Sequence, residues 1–273
     1  MKALARKAPE YNKQPGNASI ERTKNLQYYI DRLQEKMKQE DDSASVPRRT
    51  FRKRKIQTNR QYQKSFEVLT NTALTAKRLK LFKKESPLGI RFEDHCIYCK
   101  GALRSEDNII HAFWKCPLAQ SVWKRISTLL KATLFRYITQ ETANISITAA
   151  LTGYNRKLKH RLRTLQKKKH ITSVEKKHAL NIWFILQNTT ILTISDTRKS
   201  LLDETYNKQN STSIRGRLFY HQETAVQRMH SALVRNLLDS VEYVRDLDHQ
   251  KFAENRKLCH EIHLQRIESL IKN

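Results

Sequence analysis

Apolar residues recur at helical spacing along most of this chain, and the intervals between them divide it. Ile20, Leu26, Tyr29, Ile30, Leu33 and Met37 predict a first helix, with Ser19 as N-cap and a polar run from Gln39 to Ser45 as its end. Phe66, Leu69, Ala73, Leu74, Ala76, Leu79 and Phe82 form a second stripe over 64–83, broken by Pro87 and Gly89. Pro117 suits a first helical position, and Val122, Trp123, Ile126, Leu129, Leu130, Leu134 and Tyr137 continue a third repeat behind it. Leu158, Leu162 and Leu165 stand at i, i+4 and i+7 in a further segment. The dense apolar stretch ALNIWFILQNTTILTI predicts a buried helix reaching at least Leu186, although its β-branched NTTILTI keeps a strand open. After a loop at 207–216, Val226, Met229, Leu233, Leu237, Val241 and Val244 begin a last helical region. It starts near His221 and runs to Ile271, with a break near Asp246 to His249. The expected fold is mainly α.

Only five glycines and five prolines occur in 273 residues, which disfavours a turn-rich all-β fold. At 38 % hydrophobic and 29 % charged, the cores are expected to be modest. Residues 1–63 read as a disordered basic arm, one helix and a linker; 64–138 as a small module with flanking helices; and 139–273 as a helical C-terminal region.

Charge changes the picture most. Lys and Arg outnumber Asp and Glu by 53 to 26, a net charge of +27, which calls for a polyanionic partner. Nucleic acid, RNA or DNA, fits best; a membrane is not expected, because the most apolar window, 179–186, is far shorter than the roughly 20 residues a bilayer span needs. The excess is concentrated in two acid-free runs. Arg48, Arg49, Arg52, Lys53, Arg54 and Lys55 lie in PRRTFRKRK, read as a nuclear-import signal or nucleic-acid contact rather than a merely soluble spacer. Arg156, Lys157, Lys159, Arg161, Arg163, Lys167, Lys168 and Lys169 surround the leucines of the second run, an amphipathic helix with a basic face read as phosphate-binding.

Cys96, Cys99, His111 and Cys116 form a C-x2-C-x11-H-x4-C array. A two-residue gap makes a tight knuckle whose thiolates face one point, and the spacer lets the second pair return, so the four can surround one Zn2+ tetrahedrally. Buried thiols beside a histidine, or a pair of disulfides, are the competing readings. No secretory signal opens the chain, so an intracellular setting, nuclear or cytoplasmic, with reduced thiols is expected. With four protein ligands no open position remains, and the zinc would be structural. Between the ligands, Phe113 and Trp114 offer one ring to shield the metal and one for the surface, and Trp123 reads as core. Cys259 and His263 are four residues apart on the last helix, and two ligands do not close a second site.

Three pieces carry a resemblance: ALTAKRLK at 73–80, the CIYC knuckle with Glu106 ahead of His111, and HAFWKCPLAQSVW. Together, over about 50 residues, they resemble the zinc-binding module at the C-terminal end of non-LTR retrotransposon reverse transcriptases. NIWFILQNTTILTISDTRKS loosely resembles the tryptophan-containing helix that follows this module in some members. The resemblance implies zinc on Cys96, Cys99, His111 and Cys116 and binding of template RNA or target DNA. It does not extend to catalysis: no aromatic-x-Asp-Asp box exists, and Asp41-Asp42 follows polar residues in an expected loop. No P-loop, G-x-S-x-G, H-E-x-x-H or dinucleotide fingerprint is present either, so no enzymatic activity is expected. The leading expectation is a zinc-stabilised nucleic-acid-binding protein. Its rivals are a protein–protein interaction module, a non-functional retroelement remnant, and a fragment acting with a separate polymerase subunit.

Overall fold

In the computed structural model the described residues are 54–70, 73–75, 94–96, 98–99, 106–207, 214–250 and 257–272, with single positions 31, 35 and 80. The expected basic arm, most of the first helix, and Arg48, Arg49, Arg52 and Lys53 lie outside them. Among the described residues 77 % are helical and no strand forms.

The centre is helix α6, Ser173–Asn207, numbered in chain order after α1 (Asn59–Leu69), α2 (Pro117–Thr133), α3 (Gln140–Ala143), α4 (Ile147–Thr152) and α5 (Arg156–Lys167). Every residue from Ile182 to Ser195 is buried, so α6 has no solvent face along that stretch and shows no amphipathic period. The NTTILTI run is helix rather than strand, and its polar groups explain how. Thr190 donates to the Leu186 carbonyl at 2.7 Å, Gln187 Nε2 to the Ala150 carbonyl at 2.8 Å, and Trp183 Nε1 to the Gly153 carbonyl at 2.7 Å. Each of these three buried donors thus has an acceptor.

Helix α7, Ile214–Gln250, returns antiparallel to α6: Arg228 meets Glu204, Asn236 meets Thr193, and Ser240 meets Thr189. Its buried face is Ala225, Met229, Leu233, Leu237, Val241 and Val244, whereas the expected Val226 is exposed. It begins about two turns before His221, and the break expected near Asp246 falls after Gln250. Asp248 accepts from the Leu258 and Cys259 amides at 2.6 and 3.4 Å before α8, Glu261–Lys272, starts. Cys259 therefore precedes α8 as a buried thiol, pushed up by burial, and belongs to no metal-ligating group among the described residues.

Helix α1 corrects the start of the expected 64–83 helix and interrupts it after Leu69; 73–75 are not helical, Lys80 is helical again, and Ala76, Leu79 and Phe82 lie outside the described residues. It begins at Asn59 because Thr58 and Gln61 make a reciprocal capping box, and it ends at Leu69 with the Thr70 hydroxyl bonded back to the Phe66 carbonyl. It packs on α6 and α7 through polar groups: Gln61 Nε2 reaches Ser240 Oγ of α7 at 2.8 Å and Thr189 Oγ1 of α6 at 3.2 Å, and Ser65 Oγ reaches Asn188 Oδ1 of α6 at 2.9 Å. A polar inner face carries no hydrophobic period, so the helix start was invisible to the apolar pattern.

Gly153 closes α4 in the left-handed region, φ 73°, packed under α6. A Cβ there would lie 3.0 Å from Phe184 Cε1 and 3.1 Å from Gln187 Oε1. Gly153→Ala is expected to destabilise the protein by about 2 kcal/mol through backbone strain and crowding, read as a lower denaturant midpoint with an unchanged slope. No helix of the described residues is long and apolar enough to cross a membrane.

Candidate metal centre

The four array residues converge. One ligand atom from each of Cys96, Cys99, His111 and Cys116 lies within 4.8 Å of all the others, and no disulfide forms. Cys96 Sγ and Cys116 Sγ are 3.9 Å apart, and Cys99 Sγ lies 3.2 Å from His111 Nε2. All four residues are buried, Cys99 keeping the most surface at 8 %.

The backbone achieves this in two steps. The first pair is a knuckle, with the Cys99 amide directed at the Cys96 carbonyl at 3.4 Å. It is tied to the second pair by a His95–Glu106 antiparallel bridge and by the Asp107 amide donating to the Asp94 carbonyl at 2.7 Å. The second pair needs a special turn. Residues five apart on an α-helix point about 140° away from each other. His111–Lys115 instead forms a π-turn, the Cys116 amide donating to the His111 carbonyl at 2.7 Å, which sets His111 and Cys116 side by side.

Pro117 ends that turn and starts α2, and its missing N–H would leave the Phe113 carbonyl unpaired. Trp123 Nε1 fills the gap at 2.7 Å, which fixes this buried indole to the ligand loop. Phe113 is buried between the two ligands. Trp114 is half-buried with its ring 6.4 Å from that of Trp123.

A residue the sequence reading missed completes the centre. Arg198 of α6 is fully buried, and its Nη1 lies 4.0 Å from both Cys96 Sγ and Cys116 Sγ. Its Nη2 pairs with Asp107, also fully buried. Its guanidinium lies 4.9 Å from the centroid of the Tyr98 ring, whose hydroxyl donates to the Arg198 carbonyl at 3.2 Å. Burial opposes the Arg198 charge, yet Asp107 and the neighbouring thiolates hold its pKa above the ordinary value. Only the SDTRKS ending of the segment likened to a module-following helix pointed this way.

The donor set fits a thiophilic dication. Hydrogen bonds from Cys96 and Cys99, assisted by Arg198, hold the Cys116 thiol far below its ordinary value, while the same crowding pushes Cys99 up, since a second thiolate beside the first is costly. A dication removes that conflict by letting all three sulfurs ionise. Three thiolates and a neutral imidazole around a dication carry a net charge of −1, which Arg198 is placed to offset.

The basic residues fall in different surroundings. Arg156, Lys157, Arg163, Lys167, Lys168 and Lys169 are exposed on or beside α5, Lys159 and Arg161 are half-buried, and Leu158 and Leu162 face inward. None of the eight forms an ion pair among the described residues. Lys55 is exposed, but Arg54 lies over the Phe184 ring, 3.3 Å from its centroid, and burial lowers its pKa to about 10. Arg54 is nevertheless close enough to α5 for its charge to be felt there. The Lys159 ammonium is depressed by burial and then by the charges of Arg163, Lys176 and Arg54.

The fold and site define a helical chain with a Cys3His group able to hold a metal ion. No protein-family model, no curated protein and no solved structure matches the chain.

Proposed function

We propose that this chain is a nucleic-acid-binding protein whose fold is stabilised by one structural zinc ion on Cys96, Cys99, His111 and Cys116, and that it performs no catalysis of its own. Zinc suits three thiolates and one imidazole better than harder dications do, and four protein ligands leave no position for a water or substrate. The observation that carries the nucleic-acid reading is α5: Leu158 and Leu162 are buried while eight cations on and after it have no acidic partner among the described residues. A solvated surface helix commonly intersperses acids; an acid-free face facing outward is suited to phosphates. A descent from the tail of a retroelement reverse transcriptase is proposed on the three sequence pieces around the array, and a separate polymerase subunit is its natural associate.

Salt titration tests the binding claim. Affinity for a labelled single-stranded RNA or DNA oligonucleotide is expected to fall steeply with salt, by roughly 300-fold or more between 50 and 200 mM if six or more phosphates are contacted. Absent or salt-independent binding would overturn it.

A further inference from the structure

The nucleic-acid reading leaves open where a strand is held. Beside the start of α5 is a concave space of about 740 Å³, lined in part by Asn155, Arg156, Lys157, Lys159, His160 and Arg163, and no carboxylate of the described residues lines it. Helix α5 begins at Arg156, and its first turn contains no acid. The positive end of a 12-residue helix dipole therefore coincides with cationic side chains, an arrangement that is repulsive unless an anion sits among them. Asn155 supplies an independent sign. It is 6 % exposed, its Oδ1 caps the helix by accepting from the Leu158 amide at 2.9 Å, and its Nδ2 is a buried donor with no partner among the described residues. Asn155 also lines the cavity, so a small turn of its amide would present this unpartnered donor to an acceptor oxygen there. Lys159 is held in place by the Tyr154 ring, 5.1 Å from its centroid.

We infer that this cavity is a phosphodiester site, in which consecutive phosphates of a single-stranded nucleic acid lie against the α5 N-terminus between Asn155, Lys157, Lys159 and Arg163. The inference rests on the nucleic-acid reading above and makes it local. The space is of the size that takes a ligand of about one or two nucleotides, which an extended strand can enter and a duplex cannot. The converging charge of Arg54 and Lys176 near Lys159 adds to the field over the site.

The test uses the full chain and two double variants with equal charge loss. K157Q/R163Q removes cations from the cavity; K167Q/K168Q removes two from the far end of the same basic run. The probes are a labelled single-stranded oligonucleotide and a duplex of the same length, with thermal melting to confirm folding. The cavity pair is expected to lose about tenfold or more in single-strand affinity and to lower the slope of log affinity against log salt by about 1.4, roughly 0.7 per contact, while the distal pair changes the slope little. Equal losses in both variants overturn the site and leave a diffuse nucleic-acid reading standing. Wild-type protein that binds no strand overturns both. A duplex that binds as tightly and is equally weakened by K157Q/R163Q overturns the single-strand assignment.

Discussion

Cys116→Ser protein is expected to purify without stoichiometric metal and to lose more than about 4 kcal/mol of stability, the scale on which loss of a structural metal is felt. Serine nearly preserves the shape of the side chain but is a far weaker ligand, so the remaining two thiols and one imidazole cannot close the centre. The loss spreads because Cys116 joins two structures: its amide ends the π-turn at the His111 carbonyl, and its carbonyl starts α2 by accepting from the Gln120 amide at 2.9 Å. Cys259→Ser is the internal control. Cys259 is buried too, at 1 % exposure, but stands outside the cluster, so the same chemical change there is expected to cost about 1 kcal/mol and no metal. Metal analysis and denaturant unfolding of the two variants separate the outcomes. If Cys116→Ser behaves like Cys259→Ser, the four-ligand centre is wrong.

The second large effect is expected at Arg198. Arg198→Met leaves a buried carboxylate, Asp107, beside a thiolate centre that already carries negative charge, and is expected to cost about 3–5 kcal/mol. It should also weaken metal affinity about 10- to 100-fold, as loss of a group that orients and neutralises the ligands does. Asp107→Asn is expected to be milder, because Arg198 then still faces two sulfurs of opposite charge at 4.0 Å. The ordering is the informative part. Chelator competition and unfolding of the metal-loaded variants read it directly. If Asp107→Asn is the more damaging, Arg198 serves the carboxylate alone and has no part in the centre.

The Cys3His cluster was legible in the sequence because its spacing is local: two residues make a knuckle, and Pro117 marks where the second pair gives way to α2. The inward leucines of α5 were legible for the same reason, since a helical period is written over a few turns. Arg198 was not, because its partners Cys116 and Asp107 lie 82 and 91 residues away and no period connects them. The start of α1 was hidden by chemistry rather than distance: Gln61 and Ser65 face inward and bond to α6 and α7, so the buried side of the helix reads as polar. The extent of α6 was obscured by the opposite case, burial on every side, which erases the contrast that a period needs. Cys259 and His263 show the limit of spacing alone, since a four-residue interval suggested one helical face while the helix begins only at Glu261.

The most direct test of the account is metal analysis combined with X-ray absorption on the purified 273-residue chain. One zinc per chain is expected, with three sulfur neighbours at about 2.3 Å and one nitrogen at about 2.0–2.1 Å. Protein that is folded without stoichiometric metal, or a metal surrounded by oxygen, would contradict it.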